Sequence, residues 1–102
     1  MDIEPVNITT KAIAEVRNIM DNKGIPKDYS LRIGIKGGGC GALGYVIGFD
    51  KANDGDITYS QQDIPIVIDK KHVMYLIGLE VDFIEESDAR GFSFIKPGEK
   101  VS

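Results

Sequence analysis

A chain of 102 residues with 42% apolar side chains has the size and composition of one domain built around one core. Its net charge is −4, and its lysines and arginines are scattered, so there is no basic stripe to neutralise phosphates and a nucleic-acid partner is not expected. The single cysteine excludes an internal disulfide. With no signal-like start and no apolar run long enough to span a bilayer, the expected setting is cytoplasmic, away from membranes.

Thr9 or Thr10 is placed to cap a helix, because Ala12, Ile13, Val16, Ile19 and Met20 recur at three- and four-residue steps, and Gly24 and Pro26 stop it. From Ser30 to Lys36, Leu31, Ile33 and Ile35 alternate with Arg32, Gly34 and Lys36, the period of a half-buried strand. A glycine-rich loop follows from Gly37 to Gly44; then Tyr45, Ile47 and Phe49 alternate again before a turn from Lys51 to Asp56. Ile57 to Gln61 and Ile64 to Ile68 read as two further strands, with Pro65 marking an edge or a bulge at the start of the second. Asp69 caps a short helix from Lys70 to Ile77 that Gly78 closes. Leu79, Val81 and Phe83 form another strand, and Phe92 and Phe94 after Gly91 form the last; residues 96–102, with Pro97 and Gly98, read as a loose tail. Six short strands with one helix ahead of them and a small one among them predict a mainly β fold with flanking helices (α+β). Its two packed sheets are covered by the N-terminal helix, in a single domain over residues 1–102.

Chemistry concentrates in the glycine loop. Residues Gly39 to Gly44 match the dinucleotide pattern GxGxxG, but that pattern needs its last glycine to open a helix, and Tyr45 to Asp50 alternates as a strand. A P-loop fails because no Gly-Lys-Ser/Thr follows. Cys40 is thus an inert thiol, a nucleophile or a metal ligand. A buried structural cysteine would have apolar neighbours, whereas here Gly37, Gly38, Gly39 and Gly41 leave room for a bulky group on sulfur and supply N–H donors. His72, among Lys70, Lys71 and Val73, reads as a solvated surface residue, and Tyr45 as core or loop packing. Glu80, Asp82, Glu85, Glu86 and Asp88 read as a solvated acidic face, since strand alternation accounts for them better than hard-ligand metal binding. There is no pattern for a Ser-His-Asp set or a Cys-His pair.

The run Leu31-Arg-Ile-Gly-Ile-Lys-Gly-Gly-Gly-Cys40-Gly, followed by Gly44-Tyr45, resembles the A-type (HesB-like, IscA-like) iron-sulfur carrier family, whose first cluster cysteine lies in such a Gly-Gly-Cys loop. Ile66-Val-Ile-Asp69, Tyr75-Leu-Ile-Gly78, Leu79-Glu-Val-Asp-Phe83 and Gly91-Phe-Ser-Phe94 before Pro97 keep the family's order and spacing, so the resemblance runs from Val6 to Pro97. Family members commonly have serine after the loop cysteine, where this chain has Gly41, and they usually end in a Cys-Gly-Cys pair that these 102 residues lack.

The resemblance implies a HesB-like β-sandwich of mixed sheets with the N-terminal helix packed outside. It also implies a non-enzymatic iron-sulfur cluster assembly or carrier protein that binds iron or a cluster through Cys40. Gly37, Gly38, Gly39 and Gly41 would line the cofactor. Its partners would be client apoproteins and iron-sulfur assembly proteins. A homodimer is expected, because one thiolate falls short of the roughly four ligands a cluster needs and two chains would share it. The alternatives are an interaction module of the same fold that carries no cluster and, third, a thiol redox sensor.

Overall fold

The computed structural model describes residues 4–37 and 43–96. In chain order they form β1 (Val6–Ile8), α1 (Thr10–Asn22), β2 (Tyr29–Gly37), β3 (Leu43–Lys51), β4 (Asp56–Gln61) and β5 (Ile64–Asp69). A 3-10 turn (Lys70–His72) then runs into α2 (Val73–Leu76), followed by β6 (Leu79–Glu86) and β7 (Ala89–Ile95). The strands make two sheets, ordered β1-β6-β7 and β3-β2-β5-β4. Both are mixed: β1 runs parallel to β6 and β2 parallel to β5, while β2–β3, β4–β5 and β6–β7 are antiparallel. The expectation of a mainly β, α+β sandwich of mixed sheets is borne out.

Each element follows from its residues. Thr9 caps α1 by accepting the Ala12 N–H at 3.1 Å, and the same hydroxyl donates to Asp82 Oδ1 at 2.7 Å, which fixes the helix start to β6. Ala12, Ile13 and Val16 are the buried stripe of α1. They join Leu31 and Ile33 of β2, Ile66 and Ile68 of β5, and Val81 and Phe83 of β6 in one apolar core. Gly24, at φ +64°, turns the chain out of the helix. Between β4 and β5 the two-residue turn Gln62–Asp63 takes φ +50° and +68°, the left-handed pair that a tight hairpin needs, here without glycine. Arg17 Nη2 on α1 donates to the Gln62 carbonyl at 2.6 Å and holds that turn against the helix. No helix among the described residues is long and apolar enough to cross a membrane.

The structure departs from the sequence reading in three elements. There is a seventh strand, β1, which spans three residues and is too short to show a period. β5 is an interior strand between β2 and β4; its Pro65 pairs only with Ser60 of β4, and the ladder to β2 begins one residue later at Ile66, so the missing N–H breaks no bond to β2. The helix expected over Lys70 to Ile77 is a 3-10 turn plus one α turn, started by Asp69, whose carboxylate accepts the Lys71 N–H at 2.9 Å.

β1 also shows how the two sheets are tied together. One edge of it pairs with β6; on the other, side chains of β4 take the place of a strand. Tyr59 Oη donates to the Val6 carbonyl at 2.9 Å and accepts the Val6 N–H at 3.2 Å, while Gln61 accepts the Ile8 N–H at 3.1 Å and donates to the Ile8 carbonyl at 2.5 Å. Burial pushes the Tyr59 hydroxyl up to about 12. Tyr59→Phe leaves both Val6 groups unpaired and is expected to cost about 1–2 kcal/mol in denaturant unfolding. Because the folded value is raised, the hydroxyl's contribution is complete below about 10 and is lost as pH rises from there toward 12. The Phe variant should lack that alkaline slope.

Candidate functional site

β2 and β3 are nine-residue arms of one hairpin, in register from Tyr29 opposite Lys51 to Gly37 opposite Leu43. The glycine-cysteine segment therefore joins the two arms at the hairpin end. Gly38, Gly39, Cys40 and Gly41 lie outside the described residues. Gly37 is described: it is exposed, and a Cβ placed on it would meet no atom within 4 Å. Among the described residues neither crowding nor a left-handed backbone requires glycine there.

One aromatic contact ties this hairpin to the other sheet. Tyr45, the third residue of β3, stacks on Phe94 of β7, with ring centroids 5.6 Å apart and planes 24° from parallel. This pair ties the cysteine hairpin to the C-terminal end of β7, joining the two segments that carried the family resemblance. Tyr45 was read correctly as packing, but its partner is 49 positions away in sequence and no local pattern names it. On β6 and β7, Phe83 and Phe92 meet edge-to-face at 5.1 Å, and the Arg90 guanidinium lies over Phe83 at 5.3 Å.

His72 is not the solvated residue expected. Its ring is half-buried on the outer face of β2, where a Cβ on Gly34 would come within 3.1 Å of Nδ1. Nδ1 accepts the Ile35 N–H at a long 3.5 Å. The β2–β5 ladder ends at Ile33, so His72 takes over the next N–H on that edge of β2. Gly34 is the sequence signal for this packing, since a Cβ there would press on the ring at 3.1 Å and push it outward by a few tenths of an ångström.

The acidic run does not assemble a site either. Asp82 accepts from the Thr9 hydroxyl and, at 2.8 Å, from the Phe83 N–H; with the Thr9 bond dominant, these hold its carboxyl below the usual value. Asp82 is thus part of the α1 cap rather than of a solvated face. Glu85 pairs with Arg90 at 3.1 Å, and Arg90 also reaches Glu15 at 3.4 Å. Among the described residues no three of His, Cys, Asp and Glu are grouped to hold a metal ion.

Known proteins give this geometry a context. Residues 5–98 match the family model described as iron-sulphur cluster biosynthesis. The chain is 34% identical over 93 residues to the iron-binding protein IscA of Yersinia enterocolitica and 36% identical to that of Serratia proteamaculans, in each case over 90% of this chain and 85% of the relative. Among solved structures, it is similar to IscA with a [2Fe-2S] cluster, with a TM-score of 0.78 at 26% identity over 90% of this chain and 85% of that one. It shares the fold of Escherichia coli SufA, with a TM-score of 0.81 at 22% identity over 98% of this chain and 89% of that one.

Proposed function

The chain belongs to the iron-sulphur cluster biosynthesis family, and on that premise we propose that it is a carrier that takes up iron or an iron-sulfur cluster at Cys40 and passes it to client apoproteins. The cluster is cargo, and the chain acts on it by binding and release rather than as an enzyme. In this reading the Cys40 thiolate is the soft ligand, and Gly37, Gly38, Gly39 and Gly41 give the backbone close access to the cargo and aim N–H groups at its sulfides. The chain works as one domain, in the cytoplasm, with assembly proteins as donors.

The observation that carries the proposal is the family match across residues 5–98, a span that includes Cys40 in the segment between the paired strands β2 and β3. With one thiolate in these 102 residues, a cluster needs ligands from elsewhere. A second Cys40 and two external thiols complete a set of four, and a cluster held in that way is open to exchange.

The test is anaerobic reconstitution with iron, sulfide and glutathione, followed by mixing with a colourless apo-acceptor of [2Fe-2S] clusters. The brown chromophore should form on this chain and then move to the acceptor, seen as the gain of the acceptor's visible circular dichroism. A preparation that stays colourless and free of sulfide would overturn the carrier reading in favour of an interaction module. A cluster that forms but never transfers would overturn delivery.

A further inference from the structure

We infer that His72 is a positioning residue for the cysteine hairpin: its imidazole and the Phe94 ring clamp one rung of the β2–β3 ladder, Ile35 opposite Tyr45, and so fix the hairpin end that carries Cys40. Its part in holding cargo rests on the reading of Cys40 as the cargo ligand.

The hairpin is backed by a third strand over only part of its length. β5 pairs with β2 from Leu31 to Ile33, and at Asp69 the chain leaves β5 for the 3-10 turn. From Gly34 to Gly37, β2 has β3 as its only strand partner among the described residues, and β3 is itself an end strand. Two strands without a third are marginal in water, so side chains have to hold this stretch.

Two side-chain contacts meet there on the same rung. Ile35 lies opposite Tyr45. Tyr45 stacks on Phe94 of β7 at 5.6 Å, and the Ile35 N–H, which points away from β3, is accepted by His72 Nδ1 at 3.5 Å. Along an antiparallel strand these directions alternate, so Lys36 on the next rung faces β3 and bonds to Gly44 opposite it. Beyond that rung only Gly37 and Leu43 pair before the segment that bears Cys40.

His72 is held firmly enough to act as a clamp. It ends the 3-10 turn that Asp69 starts, and Val73 and Leu76, which follow it, are buried in the core, so the ring is carried on an anchored element. The ring itself is only half-buried and lies outside that core. It sits over Gly34, beside a small cavity of about 130 Å³ that Arg32, Val46 and Asp69 also line. Removing the acceptor therefore leaves core packing as it is. A Cβ on Gly34, 3.1 Å from Nδ1, would move the ring outward and lengthen a bond that is already long. Residue 34 thus controls the clamp from the strand side.

The test uses three variants of the 102-residue chain. His72→Phe keeps an aromatic ring and removes the acceptor, His72→Asn keeps an acceptor at the position of Nδ1, and Gly34→Ala presses the ring away. In the metal-free chain, hydrogen exchange of the Ile35, Lys36 and Gly44 amides is followed by NMR. His72→Phe should speed all three by about tenfold, the worth of one hydrogen bond, while amides of α1 keep their rates and the melting temperature stays the same. His72→Asn should restore the wild-type rates. Gly34→Ala should speed them as His72→Phe does, although alanine in place of a strand glycine otherwise stabilises a chain, so a merely structural role predicts the opposite sign. The same proteins, reconstituted anaerobically with iron, sulfide and glutathione, are then challenged with an iron chelator. His72→Phe and Gly34→Ala should lose the visible chromophore several-fold faster than the wild type and His72→Asn. Unchanged exchange in His72→Phe would overturn the clamp, and so would an Asn variant as fast as Phe, since ring packing rather than the acceptor would then be at work. Faster exchange with unchanged cluster loss would overturn the positioning of cargo. A wild type that forms no cluster would overturn the carrier reading and the role in retention with it, while exchange in the metal-free chain still decides the clamp.

Discussion

Replacing Asp56 with alanine is expected to cost about 3 kcal/mol of folding stability, the loss seen when one partner of a largely buried ion pair is removed. The Asp56 side chain is only 5% exposed. It receives Arg32 Nη2 at 2.8 Å, Arg32 Nη1 at 3.4 Å and the Asn53 N–H at 2.7 Å. Arg32 Nη2 also donates to the Lys51 carbonyl at 2.9 Å, so one guanidinium closes the end of β3 and the start of β4 onto β2. Its Nε lies 3.2 Å from Asp50 Oδ2, but not in line for a hydrogen bond, so that contact is Coulombic and does not replace Asp56. Without Asp56, a partly buried cation loses its main partner.

The hydrogen bond from Arg32 holds the Asp56 carboxyl below its ordinary 3.8. The stability this group contributes is therefore complete above that value and is lost as pH falls through the lower folded one. Urea unfolding of the wild type, Asp56→Asn and Asp56→Ala across the acid range checks both size and sign. Asn keeps an acceptor for Asn53 and should cost less than Ala, while neither variant should keep the acid slope due to Asp56. A loss below about 1 kcal/mol for Asp56→Ala would mean that the network is solvated like a surface pair.

The parts of the fold that repeat locally were legible in the sequence. Ala12, Ile13 and Val16 lie on one face at helical spacing, and Leu31 and Ile33 alternate with polar neighbours, so α1 and β2 follow from periodicity alone. What was not legible depends on partners distant in sequence. β1 is held by Tyr59 and Gln61, 53 positions away, and His72 fits against β2 because residue 34 is glycine. Pro65 suggested an edge or a bulge, yet β5 is interior, because a ladder can begin one residue beyond a proline. The site divides in the same way: Cys40 among its glycines is a one-dimensional signal, while the Tyr45–Phe94 stack behind the hairpin exists only in the folded chain.

Cys40→Ala is expected to abolish cluster binding while leaving the fold intact. Among the described residues one apolar core runs through α1, α2, β1, β2, β5 and β6, enough to hold the fold without a ligand, so melting temperature should not change. Among the described residues no three of His, Asp and Glu are grouped to stand in for the thiolate, and His72 Nδ1 is engaged with β2 and Asp82 with Thr9.

Native mass spectrometry of the anaerobically reconstituted protein, with iron and sulfide counted on the same sample, tests this most directly. The wild type should show one cluster for every two chains, with bound glutathione, and Cys40→Ala should show the same folded chain with none. A cluster on a single chain, or one that survives in Cys40→Ala, would contradict the account.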